Sequence, residues 1–209
     1  MKIGFELEAF CLDTEGKPVL VPDGLPFDEC GWLIEVRSEP HTSVGKAIAL
    51  LIGEQKYVEE LAAARKVSLS YVPLFAIPRD LKVQAARRNG KGLIQYRNVY
   101  GFETHRNSTL LATASLHVSF TEERVFTYSE RSNCKECGHT EHKQFKYQGF
   151  VDHAKIIVGL DKAFKEEIKK AQRNPGFYEV KSDGRIEYRS LPNNVDLDKV
   201  SATLEELLK

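Results

Sequence analysis

The chain has 209 residues, with 30 Lys and Arg against 30 Asp and Glu, so its formal charge is zero with His neutral. That balance excludes adhesion to nucleic acid by bulk positive charge, and 42% hydrophobic with 29% charged residues excludes wholesale disorder. No run approaches the roughly 18 apolar residues of a membrane helix, and acids stand in Met1-Lys2-Ile3-Gly4-Phe5-Glu6 where a signal peptide needs an apolar run. A cytoplasmic single domain without membrane or nucleic-acid partners is expected.

In chain order, the first strand is predicted over Lys2 to Leu12, where Ile3, Phe5, Leu7 and Ala9 alternate with Gly4, Glu6, Glu8 and Phe10 until the turn Asp13-Thr14-Glu15-Gly16. A Pro- and Asp-rich loop leads to a second strand, Trp32 to Glu39, closed by Pro40. Ser43 then caps a long helix through Lys66, followed by a strand around Val67 to Leu74. Residues 79 to 108 read as basic and irregular, with Gly90 and Gly92 as breakers. Thr113 to Phe120 is expected to be a strand, and Val125 to Tyr128 and Phe145 to Tyr147 flank a Cys/His cluster. Asp152 is the predicted cap of one helix to Arg173, with an apolar stripe of Ile157, Leu160, Phe164, Ile168 and Ala171. Gly176 to Val180 and Arg185 to Leu191 form a hairpin around Ser182-Asp183-Gly184, and a helix over about Asp198 to Leu208 closes the chain. Strands pairing through turns, interrupted by long helices, predict an α+β domain with a largely antiparallel sheet.

Three of these strands carry charge on alternate residues. Glu6 and Glu8 leave one face of the first strand, Glu35, Arg37 and Glu39 one face of the second, and Glu187 and Arg189 one face of the last. Like charges side by side repel unless a cation or Arg separates them, and several carboxylates on one sheet face suit a hard cation such as Mg²⁺. His117 lies on a strand whose same-face neighbours are small and polar. There is no Walker A loop, Gly-x-Gly-x-x-Gly turn or Gly-x-Ser-x-Gly elbow, which disfavours P-loop, Rossmann and serine-hydrolase chemistry.

Gly4-Phe5-Glu6-Leu7-Glu8, Ile34-Glu35-Val36-Arg37-Ser38-Glu39-Pro40, Leu116-His117-Val118 and Ile186-Glu187-Tyr188-Arg189-Ser190-Leu191-Pro192-Asn193 follow one another in an order that resembles the phage-type carboxylate–amine ligases (amidoligases) of the glutamine synthetase and glutamate–cysteine ligase superfamily. Asn174-Pro175-Gly176-Phe177-Tyr178, ahead of the last motif, is the most specific part of the match, and the motifs span nearly the whole chain. The resemblance implies a glutamine synthetase-like domain over residues 1–209, with a curved antiparallel sheet and helices packed on one face. It implies ATP- and Mg²⁺-dependent joining of a small-molecule or peptide carboxylate to an amine through an acyl phosphate. Carried onto this chain, it makes Glu6, Glu8, Glu35 and Glu187 Mg²⁺ ligands, and Arg37, His117 and Arg189 catalytic, with Glu39 at the second-strand site. Arg87, Arg88, Lys91 and Arg97 are candidates for the ATP phosphates. The family commonly has His-x-His where this chain has His117-Val118-Ser119. That departure keeps a second expectation open, a catalytically degenerate relative serving as a zinc-containing binding protein.

Cys134, Cys137, His139 and His142 offer four Zn²⁺ ligands within nine residues, predicting a structural zinc knuckle on a hairpin insertion at about 130–145. Elemental analysis of protein purified without added metal is expected to give stoichiometric zinc that vanishes in a Cys134→Ser/Cys137→Ser double variant. Less than about 0.2 zinc per chain would remove the site, because structural zinc survives purification.

Overall fold

The computed structural model describes residues 1–28, 30–88, 110–121, 126–133, 140–147 and 153–209, with residues 86, 110, 126–133 and 140–147 described by backbone alone. Among them the strands are β1 (Ile3–Leu12), β2 (Leu33–Arg37), β3 (Ser68–Ser70), β4 (Leu74–Ile77), β5 (Leu110–Thr113), β6 (Ser115–Phe120), β7 (Phe126–Asn133), β8 (Thr140–Tyr147), β9 (Tyr178–Val180) and β10 (Ile186–Pro192). The helices are α1 (Val44–Ala64), α2 (Arg79–Arg88), α3 (His153–Ala163), α4 (Lys165–Lys170) and α5 (Leu197–Leu207). The protein is a mixed α+β structure built on an antiparallel sheet of order β2-β1-β6-β10-β9. Phe10 lies opposite Leu33 on one side and Ser70 on the other, so β3 extends the sheet at the far end of β1, on the β6 side. No described helix is long and apolar enough to cross a membrane.

Strand alternation divides the sheet into two unlike faces. On one, Phe5, Leu7, Ile34, Val36, Leu116, Val118, Ile186 and Tyr188 form the main core with Ile48 and Leu51 of α1, Leu160 of α3, Ile168 of α4 and Leu204 of α5. Ser43 caps α1 through a hydrogen bond from Lys46 N, and Asp196 caps α5 by accepting from Asp198 and Lys199 N. Buried Tyr188 reaches through this core and donates to Asp161 Oδ1 at 2.6 Å.

The opposite face is apolar only at one end. There Phe10 and Leu33 pack with Trp32, Ile77, Leu81, Ala85 and Ala114. The helices therefore do not all lie on one face, as the resemblance implied. Helix α2 and the two-stranded β4–β5 sheet cover part of the other. The segment expected to be irregular begins as this helix: Pro78 precedes its first turn, and Leu81, Lys82 and Ala85 are buried on one side. Arg, Lys, Gln and Ala are strong helix formers, so a basic composition did not preclude it. Two further boundaries differ. Pro73 separates a short β3 from a distinct β4, and the helix expected to run to Arg173 breaks at Phe164 (φ −116°) into α3 and α4. Phe164 is itself buried, so the apolar stripe runs through the break and periodicity could not mark it.

Leu116 is fully buried beneath the polar face, behind His117. Leu116→Ala is expected to cost about 2–5 kcal/mol by chemical denaturation, as for other large-to-small core changes.

Candidate active site

The uncovered part of the second face is a polar surface laid out by strand register. Glu6 lies opposite both Arg37 on β2 and His117 on β6, and Glu8 lies opposite Glu35. Glu187 lies opposite Ser119, and a bulge between Tyr188 and Leu191 gives β10 one residue more than β6 at this point. Arg189 sits in that bulge, turned toward His117.

The carboxylates predicted to converge do so. Ligand atoms of Glu6, Glu8 and Glu35 lie within 4.8 Å of one another, as do those of Glu6, His117 and Glu187. Glu6 is held from both sides, accepting from Arg37 Nε at 2.8 Å through Oε2 and from His117 Nδ1 at 2.9 Å through Oε1. An ionised carboxylate only accepts, which assigns the imidazole proton there to Nδ1 and turns Nε2 toward Ser115 Oγ, 2.8 Å away, and Arg189 Nε, 3.3 Å away. Glu8 Oε2 accepts from Ser115 N at 2.8 Å and Ser115 Oγ at 2.6 Å. Arg37 also bonds Glu35.

Glu187 is 3% exposed, with Lys181 Nζ at 2.9 Å, Arg189 Nε at 3.4 Å and His117 Nδ1 at 3.6 Å from its Oε1. None of these lies along a well-directed hydrogen bond, so this buried oxygen is neutralised by charge but not saturated. Such an oxygen, beside the Glu6 carboxylate, is a donor that a hard divalent cation could take.

The charges pull the two flanking glutamates in opposite directions. Burial would raise Glu6, but the hydrogen bond and charge of His117, followed by Arg37, carry it from 4.5 down to about 2. Burial raises Glu35 from 4.5 to about 8, reinforced by the Glu6 and Asp28 charges against the opposing pull of Arg37. Arg37 and Arg189 are pushed above the ordinary guanidinium range: burial acts downward, but the surrounding carboxylates outweigh it.

Other predicted residues are elsewhere. Glu39 lies exposed beyond the end of β2, and neither ligand group includes it. Arg88 lies against the 21–27 loop, donating to Val21 O and to Asp23 Oδ1 at 2.8 Å with its guanidinium 4.2 Å above the Phe27 ring. Arg87 is exposed at the end of α2. Lys91, Arg97, Cys134, Cys137 and His139 lie outside the described residues, and His142 is placed only by its backbone, on β8 opposite Arg131.

Four residues of the site were not singled out from the sequence. Arg173 donates through Nε to Arg189 O at 3.1 Å and through Nη1 to Thr113 Oγ1 at 2.9 Å, pinning the bulge. Its place just before Asn174-Pro175-Gly176 was the available signal. Ser115 shares the His117 face by simple alternation. Lys181 and Asp28 had no signal, since only the β9–β10 register and the 18–32 loop bring them near Glu187 and Glu35.

A scan against protein-family models, a search of curated proteins and a search of solved structures each found no match.

Between pH 4.5 and about 8 the folded chain keeps a proton on Glu35 that the unfolded chain has released, so this group's contribution to stability falls as pH rises. For Glu6 the window lies between about 2 and 4.5 and the sign reverses, with stability lost as pH drops. The melting temperature without metal is therefore expected to decline from about pH 5 to about pH 8, and Glu35→Gln to flatten that slope. An unchanged slope in the variant would remove Glu35 as its cause.

Proposed function

We propose that the protein is an ATP- and Mg²⁺-dependent carboxylate–amine ligase with a glutamine synthetase-like catalytic domain. The observation carrying this reading is the convergence of Glu6, Glu8, Glu35 and Glu187 from three strands, with Arg37 and Arg189 among them. The order of their motifs along the chain supports it. In the reaction, a carboxylate oxygen of the acid attacks the γ-phosphorus of ATP and ADP leaves, giving an acyl phosphate. An amine then attacks the acyl carbon, phosphate leaves, and the amine nitrogen loses a proton, giving the amide.

Two anions must meet in the first step, so positive charge has to stand where they do. Glu6, Glu8, Glu35 and Glu187 would hold Mg²⁺, which when bound supplies charge neutralisation at the phosphoryl oxygens. Arg189, whose Nε faces His117 and Glu187 and whose Nη1 donates to Glu179 at 3.0 Å, would meet a phosphoryl oxygen, with Arg173 holding its carbonyl. Arg37, with a 65% exposed side chain anchored to Glu6 and Glu35, can present its outer edge to the acid. His117 holds Glu6 in a single orientation through Nδ1. Ser119 occupies the position of the family's second His, with its hydroxyl 3.5 Å from Glu187 Oε2. That substitution favours the other reading, a binding protein that has lost turnover.

Incubation with ATP, Mg²⁺ and pooled amino acids and amines is expected to release ADP and phosphate together. Glu8→Gln or Glu187→Gln should lower that release at least a hundredfold while leaving the circular dichroism spectrum unchanged. If no ADP forms and calorimetry with Mg²⁺ detects no nucleotide binding, the binding-protein reading replaces the ligase.

A further inference from the structure

The edge strand β9 adds a second layer of charge to the polar face beside Glu187. Glu179 lies opposite Glu187 in the β9–β10 register, and Lys181, two residues on, leaves the same face. With Arg189 they close a ring of alternating charge. Glu179 Oε2 accepts from Lys181 Nζ and from Arg189 Nη1, each at 3.0 Å. On the inner side, Lys181 Nζ stands 2.9 Å and Arg189 Nε 3.4 Å from Glu187 Oε1.

The two sides of the ring are unlike. Lys181 makes its directed hydrogen bond to Glu179, whereas its contact with Glu187 is charge alone, so Oε1 keeps its lone pairs unused. Glu6 differs, because Arg37 and His117 aim donors at both of its oxygens. Oε1 is also the Glu187 oxygen that faces His117 Nδ1, 3.6 Å away, within the group formed with Glu6. A divalent cation on this oxygen and an ammonium 2.9 Å from it repel at close range, so one of them has to leave.

Of the two cations in the ring, Arg189 is the fixed one, since Arg173 grips its carbonyl and its Nε also meets His117. Lys181 is the one able to move. Its backbone is tied into the hairpin, N donating to Arg185 O at 2.8 Å and O accepting from Gly184 N at 2.9 Å. Its side chain, however, is 27% exposed and ends a flexible four-carbon stem. Glu179, with a 48% exposed side chain, gives the ammonium a partner nearer to water, so leaving Glu187 costs one contact of two.

We infer that Lys181 is an exchangeable counter-ion of Glu187, standing against Oε1 until a divalent cation takes that oxygen, and that this lysine sets how tightly the Glu187 group holds metal. The inference rests on the cation site of the ligase reading and not on the amide-forming reaction.

The test is calorimetric titration of the full chain with Mg²⁺ alone, without nucleotide. Lys181→Met keeps the length of the side chain and removes its charge, and is expected to tighten Mg²⁺ binding about tenfold, because the competent form no longer has to be freed of the ammonium. Arg185→Gln removes a neighbouring positive charge that is paired with Asp183 instead, and is expected to change the affinity about twofold at most. Lys181→Arg keeps the charge and should show no gain. In the parent chain labelled at lysine ¹³Cε, Mg²⁺ is expected to shift and narrow the Lys181 signal, the one missing from Lys181→Arg. The Lys199 signal, from a side chain paired with Glu167, should stay unmoved. This readout uses the parent chain, so it decides the matter even where Lys181→Met does not fold. A Lys181→Met gain no larger than that of Arg185→Gln, a Lys181 signal unmoved at saturating Mg²⁺, or no Mg²⁺ binding at all would each overturn the inference. ADP release from the same parent sample, given ATP and the pooled substrates, separates the two claims. Tighter Mg²⁺ in Lys181→Met without ADP formation keeps the counter-ion and sinks the ligase, while ADP formation with no such tightening sinks the counter-ion alone.

Discussion

Four carboxylates gathered on one face of a sheet repel each other, and the surrounding structure is arranged around that repulsion. Glu6 is held on both sides by register partners, Arg37 from β2 and His117 from β6, and it stays ionised as a result. Glu35, deeper and facing Glu6 and Asp28, keeps its proton into the neutral range instead. Glu187 has three cationic or imidazole nitrogens near one oxygen, yet no donor aimed well at it. These groups could hold a metal ion, which would relieve the repulsion and the unsaturated oxygen together.

The rest of the fold sets the shape of that face. The large core behind the sheet fixes β1, β6 and β10 at constant spacing, so the polar rows inherit its rigidity. The small second core of Phe10, Leu33, α2 and the two-stranded β4–β5 sheet closes one end, near Glu8 and Glu35. The opposite end stays open because Gly4 and Ser119 are small and the strands finish there. The polar face is therefore closed at one end and open at the other, with the carboxylates toward the closed end and Lys2 and Arg185 at the mouth.

The β10 bulge joins the two halves of this arrangement. With one residue more than β6 between Tyr188 and Leu191, the strand keeps Tyr188 and Leu191 in the core while Arg189 turns to His117 and Glu187. Arg173 stabilises the irregularity by donating to the Arg189 carbonyl that the bulge releases from the ladder. A half-buried guanidinium spent on one backbone carbonyl and Thr113 indicates that the position of Arg189 matters to this face.

The sequence alone determined the antiparallel α+β character and the face to which each charged residue belongs, because a period of two is a local property of the chain. Glu6, Glu8, Glu35, Arg37, His117, Glu187 and Arg189 were legible for that reason. The contacts of Arg88 were not legible in the same way, because its partners, Val21, Asp23 and Phe27, are more than sixty residues away in sequence. The break at Phe164, the helix covering the second face, the bulge at Arg189, and the roles of Arg173 and Lys181 were settled only by tertiary structure. Each depends on which strands pair and in what register, and pairing is decided by packing across the whole sheet, which no local pattern encodes.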